Sequence, residues 1–233
     1  MRALIAAAAT FATAAMSHAI VFPTTAHVTN NFIPFGSGTT TMHQVFDGNL
    51  FLAQTGGLPA LITDIGFAPG LNGTFNLGVL NVNLGYTNRT PGVGPPAGLD
   101  IPIAGGGGLP NASGAMTPFF SDAAYSVTIA AANSNNFSEM VLTGTTFLYD
   151  PAQGNLLVEI VLPNANNTAL HVSRTSGSAE SSRAFDTSRF GSGTSPGTAT
   201  RMDFTFTAVP EPGTMLALGV GLAALATRRR RRK

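Results

Sequence analysis

Short alternations of apolar and polar residues, each ended by Gly, Pro, Asn or Asp, recur through the middle of this sequence, and they restrict the chain to strands joined by turns. Phe75, Leu77 and Val79 alternate with Asn76 and Gly78, after which Leu80, Val82, Leu84 and Tyr86 take the opposite parity. A parity change inside one run requires an extra residue in the strand, so a β-bulge is expected near Gly78 to Leu80. Tyr125, Val127 and Ile129 alternate in the same way, as do Met202, Phe204 and Phe206. Further strands are expected at 43–46, 50–54, 62–67, 137–143, 145–149, 156–162 and 169–173. No stretch of residues 20–208 carries a helical period.

Two stretches mark the turns best. In "FDGNLF" the pair Asp47-Gly48 stands between apolar residues, which predicts a hairpin. In "FLYDPAQGNLLVEIVLP" a strand meets Asp150-Pro151, a favoured opening of a type I turn, and resumes after Gly154. There Leu156, Val158, Ile160 and Leu162 share one face, and Leu157, Glu159 and Val161 the other. About ten short strands punctuated in this way predict an all-β fold, an antiparallel β-sandwich of jelly-roll type.

Long connections interrupt the strands at 89–114 and 173–201. Such lengths belong to mobile or functional loops. The second holds Arg174, Arg183, Arg189 and Arg201, four of the five arginines between residues 20 and 208, and the simplest expectation is a solvated loop with scattered charges.

Charge is distributed unevenly. Half of the 12 Lys and Arg form the last six residues, Arg228, Arg229, Arg230, Arg231, Arg232 and Lys233. Between residues 20 and 208 ten acids face five arginines and no lysine, so a nucleic-acid partner is not expected. The absence of cysteine excludes disulfides, thiol catalysis and thiolate metal sites.

Both ends look like targeting segments. "MRALIAAAATFATAAMSHAIVFP" runs from one Arg through an apolar stretch to the small-x-small triplet Ser17-His18-Ala19. That order predicts a signal peptide over 1–19, cut between Ala19 and Ile20, and a mature body over 20–208. At the other end, residues 213–227 form an apolar run of 15 residues. As a helix this spans about 22 Å, short of the ~30 Å hydrocarbon core, so it suits a marginal membrane stop. The basic cluster 228–233 fixes that helix with its C-terminus in the cytoplasm. Pro210 and Pro212, on either side of Glu211, keep the preceding segment extended and exposed, a shape suited to a protease.

The stretch "VPEPGTMLALGVGLAALATRRRRRK", with Val209, Pro210, Glu211 and Pro212 followed by the apolar run and basic cluster, resembles the PEP-CTERM sorting signal of diderm bacteria, also catalogued as an ice-binding protein C-terminal domain. The resemblance covers 209–233. It implies an exosortase-type membrane protease as partner, transient anchoring in the inner membrane, and delivery of the body to the cell surface or extracellular matrix. "YDPAQGNLLVEI" and "TTTMHQVFDGNLF" are also similar to blocks of exported PEP-CTERM proteins; that likeness supports the sandwich and implies no activity.

Nothing in the body spells out an active site. "GTSPG" at 193–197 fits a nucleophile elbow, but Pro196 has no N–H for an oxyanion hole. His27, His43 and His171 have no partner at ligand spacing, and Asp47 and Asp150 are explained by turns. The Gly-rich "GSGTTT" and "GGGGLP" lack the Lys of a phosphate loop. No catalytic residue, metal or cofactor is therefore expected. Sugar recognition by a jelly roll usually uses flat aromatic faces; here there is no Trp, and Tyr86, Tyr125 and Tyr149 lie in strand patterns that suit core packing. Thr39 to Thr41 is too short a run for a regular ice-binding face. The leading expectation is a non-enzymatic, exported envelope or matrix protein; the alternative is a carbohydrate- or exopolysaccharide-binding module.

Overall fold

A computed structural model describes residues 17–102, 110–164 and 168–209. In chain order the strands are β1 (Ser17–Phe22), β2 (Thr29–Asn31), β3 (Thr40–Phe46), β4 (Ala60–Phe67), β5 (Gly73–Thr87), β6 (Thr117–Ile129), β7 (Met140–Tyr149), β8 (Asn155–Leu162), β9 (Val172–Thr175), β10 (Ser181–Thr187), β11 (Gly191–Ser195), β12 (Ala199–Thr200) and β13 (Met202–Ala208). One helix, α1 (Gly48–Thr55), follows β3, and a single 3-10 turn occupies Pro151–Gln153.

The strands form three sheets, ordered β1-β13-β4-β7, β11-β10-β3-β8-β5-β6 and β12-β9-β2, and the pairings within them are antiparallel. The four- and six-stranded sheets share one core. Met42, Phe46, Val82, Leu84, Val158 and Ile160 enter it from the larger sheet, and Ile62, Ile65, Met140, Leu142, Phe204 and Phe206 from the smaller. Phe46 meets Phe204 edge to face across the two layers, with ring centroids 5.1 Å apart. Tyr86 stacks on Tyr149 at 5.6 Å, so these two tyrosines are packing residues.

Alternation fixes which side chains enter. On β8 the set Leu156, Val158, Ile160 and Leu162 faces the main core, while Leu157 joins Val45, Leu99 and Ala184 in a second small cluster on the opposite face of the sheet. Strand β5 changes parity as its sequence demands. Its register against β6 shifts on either side of Gly78, whose φ of +75° suits a residue without a side chain, and Leu77 and Leu80 both end up fully buried.

Three local expectations are corrected. Residues 50–54 are helical, and Asp47-Gly48 opens α1 instead of a hairpin. The Asp47 carboxylate accepts from the Asn49 N–H, Gly56 closes the helix at φ +65°, and the fully buried Phe51 packs on Phe22 and Tyr149 at 4.8 and 4.9 Å. Leu50, Leu52, Ala53 and Gln54 favour a helix, and the cap and the packing of Phe51 fix it in a segment too short to show a helical period. Residues 137–143 and 145–149 do not make two strands; β7 runs unbroken from Met140 to Tyr149. The 173–201 stretch is not a loop: it contains most of β9 and all of β10, β11 and β12. Its Ser, Thr and Gly content hid strands that are fixed by pairing with β3 and β2.

The Asp150-Pro151 turn lies where expected, but it carries the chain from β7 in one sheet to β8 in the other. Residues 1–16, the apolar run 213–227 and the basic cluster 228–233 lie outside the described residues. No described helix is long and apolar enough to cross a membrane.

Candidate functional site

A closed polar node sits on the outer face of the six-stranded sheet. Antiparallel register sets His43 on β3 beside Glu159 on β8, and Asn83 on β5 beside the same glutamate. The Glu159 carboxylate accepts from His43 Nε2 at 3.0 Å and from Asn83 Nδ2 at 2.6 Å. Asn111, from the 89–114 segment, covers the other side of the imidazole. Its amide accepts from the Asp100 N–H and donates to the Asp100 carbonyl, both at 2.8 Å, which fixes which end carries the protons. The second amide proton then points at His43 Nδ1, 2.8 Å away, so that nitrogen accepts and Nε2 donates. Both ring nitrogens are engaged and the ring is fully buried. The node presents no base to solvent; it fastens the 89–114 segment to the sheet. Arg89 extends it by donating to the Asp100 carboxylate and to the carbonyls of Pro96 and Pro110.

A different kind of site lies where the edge of the six-stranded sheet meets the small three-stranded sheet. Arg183 on β10 stands opposite Gln44 on β3 and Ser195 on β11, and it is only 3% exposed. Arg174 on β9 stands opposite Thr29 and Thr200. Together with Asn30, Asn31, Phe185 and Phe190 they line a cleft of about 440 Å³. The arginine–carboxylate pair among the described residues is Arg89–Asp100, so neither Arg174 nor Arg183 is paired with an acid there. Arg183 Nε and Nη1, Arg174 Nε and, outside the cleft, Ser181 Oγ and Thr175 Oγ1 are buried without a hydrogen-bond partner among the described residues. Burial first, and the neighbouring Arg174 second, push the Arg183 guanidinium down to about 9. Arg189 is held differently, donating to the Gly36 carbonyl and lying over the rings of Phe32 and Phe190. Scattered, solvated arginines are therefore not what this stretch contains. Ser195, the serine of "GTSPG", lines the same cleft on an edge strand.

The ends of the described body meet. β1 is an edge strand paired with β13, with Ser17 opposite Thr207 and Ile20 opposite Phe204. The chain before Ser17 and the chain after Ala208 therefore leave from the same end of the same sheet, adjacent strands being about 5 Å apart. The expected cleavage site is within β1, where Ala19 is exposed and Ile20 half-buried. Val209 is the last described residue, and its N–H donates to the Pro59 carbonyl at 2.8 Å. Residues 208–232 match the PEP-CTERM protein-sorting motif.

The chain carries a PEP-CTERM sorting signal.

This signal marks an exported protein sorted through an exosortase, with a membrane-associated C-terminal segment. The PEP-CTERM match begins on Ala208, the last residue of β13. Pro210, Glu211, Pro212 and Arg228 to Lys233 belong to the part beyond the described residues. No curated protein and no solved structure matches the chain. Outside the PEP-CTERM segment, sequence reading missed the arginine cleft. Nothing in the spacing of Arg174 and Arg183 marks them as neighbours; only the pairing of β10 with β3 and of β9 with β2 and β12 brings them together.

Proposed function

We propose that the protein is a non-enzymatic component of the cell surface or extracellular matrix, made with a signal peptide over 1–19 and delivered by removal of its C-terminal tail. The observation that carries this reading is the sorting motif at 208–232. Its support in the fold is the shared exit of both ends, since Ser17 and Thr207 are paired neighbours. A body with both targeting segments at one end can face away from the membrane at the stages when either segment holds it. Pro210-Glu211-Pro212 presents the processing site as extended backbone, and Arg228 to Lys233 hold the apolar run at the cytoplasmic face.

We assign the body to the jelly-roll class of β-sandwich. The support is its path, which passes from β3 in the larger sheet to β4 in the smaller, back to β5 and β6, across to β7 and back to β8. The closed His43 node fits a structural part better than a catalytic one, as one imidazole nitrogen is engaged by Glu159 within the sheet and the other by Asn111 of the covering segment.

Two tail variants test the sorting reading. Deleting 228–233 should release unprocessed protein into the medium, because a 15-residue apolar run has little hold of its own. Changing Pro210 and Pro212 to Ala should leave the body exported but still tailed in the membrane fraction. Identical processing of both variants and the parent, read by intact mass, would refute the roles given to these residues.

A further inference from the structure

At the Arg174/Arg183 cleft no carboxylate among the described residues balances the charge, and Arg183 is met only by the face of the Phe185 ring, 5.6 Å away. A buried guanidinium normally has a carboxylate or a full set of acceptors, since removing a cation from water costs several kcal/mol. Arg89 shows the ordinary solution, with Asp100 and two carbonyls around it. Arg183 is more deeply buried than Arg89, yet it has no acid partner among the described residues and two of its nitrogens bond to nothing. A second arginine beside it makes the charge worse. Three guanidinium nitrogens of these two cleft-lining arginines, Arg183 Nε and Nη1 and Arg174 Nε, thus have no hydrogen-bond partner among the described residues.

We infer that this cleft binds an acidic sugar unit, the acid group of which lies between the guanidiniums of Arg174 and Arg183. An oxyanion supplies what the site lacks: negative charge and several lone pairs for planar N–H donors. The remaining walls suit a sugar ring. Phe185 and Phe190, each with one face against an arginine, offer their remaining apolar surface to C–H groups, Asn30, Asn31 and Ser195 offer polar groups to hydroxyls, and a volume of about 440 Å³ accommodates a single ring. Phe190 is 49% exposed, a large apolar side chain at the rim where a longer chain of sugars would continue. The site belongs to the body and does not depend on how the tail is sorted.

The test is calorimetric titration of the full chain in detergent with galacturonate, galactose and acetate, on the parent, Arg183→Met and Arg174→Gln. The parent should bind galacturonate saturably and show a raised Tm with it, since a ligand that binds only the folded state stabilises it. Galactose should not bind. Arg183→Met should weaken binding by about tenfold or more, the scale of a lost charge-assisted hydrogen bond. If that variant fails to fold, Arg174→Gln, at a half-buried position, should still weaken binding several-fold. Absence of galacturonate binding to the parent, or unchanged binding in a folded arginine variant, overturns the site. Binding of acetate as tight as that of galacturonate, or of galactose as tight, overturns its assignment to an acidic sugar. None of these outcomes bears on tail processing, which is read by mass.

Discussion

At the residue scale, the fold depends on a few polar side chains that carry more than one hydrogen bond each. Asn111 satisfies the Asp100 backbone at both its N–H and its carbonyl and also caps His43. Asn111→Ala leaves the buried His43 Nδ1 and the half-buried Asp100 backbone groups without this partner, so it should cost about 1–3 kcal/mol in urea unfolding of the full chain, the range of an unsatisfied buried group. A cost below about 0.5 kcal/mol, the usual effect of a surface change, would contradict the role given to the node. Asp203 presents the opposite case. Burial raises its carboxyl above the usual aspartate range, and Oδ1 has no partner. An acid whose folded-state value is raised disfavours the folded state once it ionises. Its cost is absent below the unfolded-state value and is fully present above the raised one. Asp203→Asn should therefore raise Tm at neutral pH, and the gain should vanish as pH falls through the carboxylate range. A gain that is the same at pH 3 and pH 7 would contradict this cause. Neither residue's role was legible in the sequence, because Asn111 meets His43 only when its segment folds back on the sheet, and Asp203 is buried only when β13 pairs with β1 and β4.

At the scale of elements, α1 tests whether packing or local pattern decides. Leu50, Leu52, Ala53 and Gln54 are good helix formers, but eight residues are too short to stand alone, and α1 is held by the Asp47 cap, the left-handed Gly56 and the buried ring of Phe51. Asp47→Ala should cost about 1 kcal/mol, the usual value of an N-cap, and Phe51→Ala about 3–5 kcal/mol, that of a large core truncation. Equal costs for the two, measured by chemical denaturation, would mean that the cap and not the core holds the helix. Alternation identified the strands that lie between a core and an outer face, and it located the bulge at Gly78, because one-sided burial writes itself directly into the order of residues. It missed β10 and β11, where Ser, Thr, Gly and Arg occupy positions that a strand normally gives to apolar residues. Pairing with β3 buries β10 in spite of its sequence, and β11 is a largely exposed edge strand added to β10.

At the scale of the whole molecule, sorting and binding are assigned to different parts. The tail was legible because a sorting signal is read by other proteins as a short linear pattern, and residues 208–232 match it without any help from the fold. The cleft was not legible, because it exists only in three dimensions. The central claim is that this is an exported body delivered by loss of its tail, and the intact mass of the protein recovered from the cell surface and the medium tests it most directly. The account predicts a mass that begins at Ile20 and lacks the apolar run 213–227 and the basic cluster 228–233. Surface material with the mass of the full 233-residue chain would contradict it.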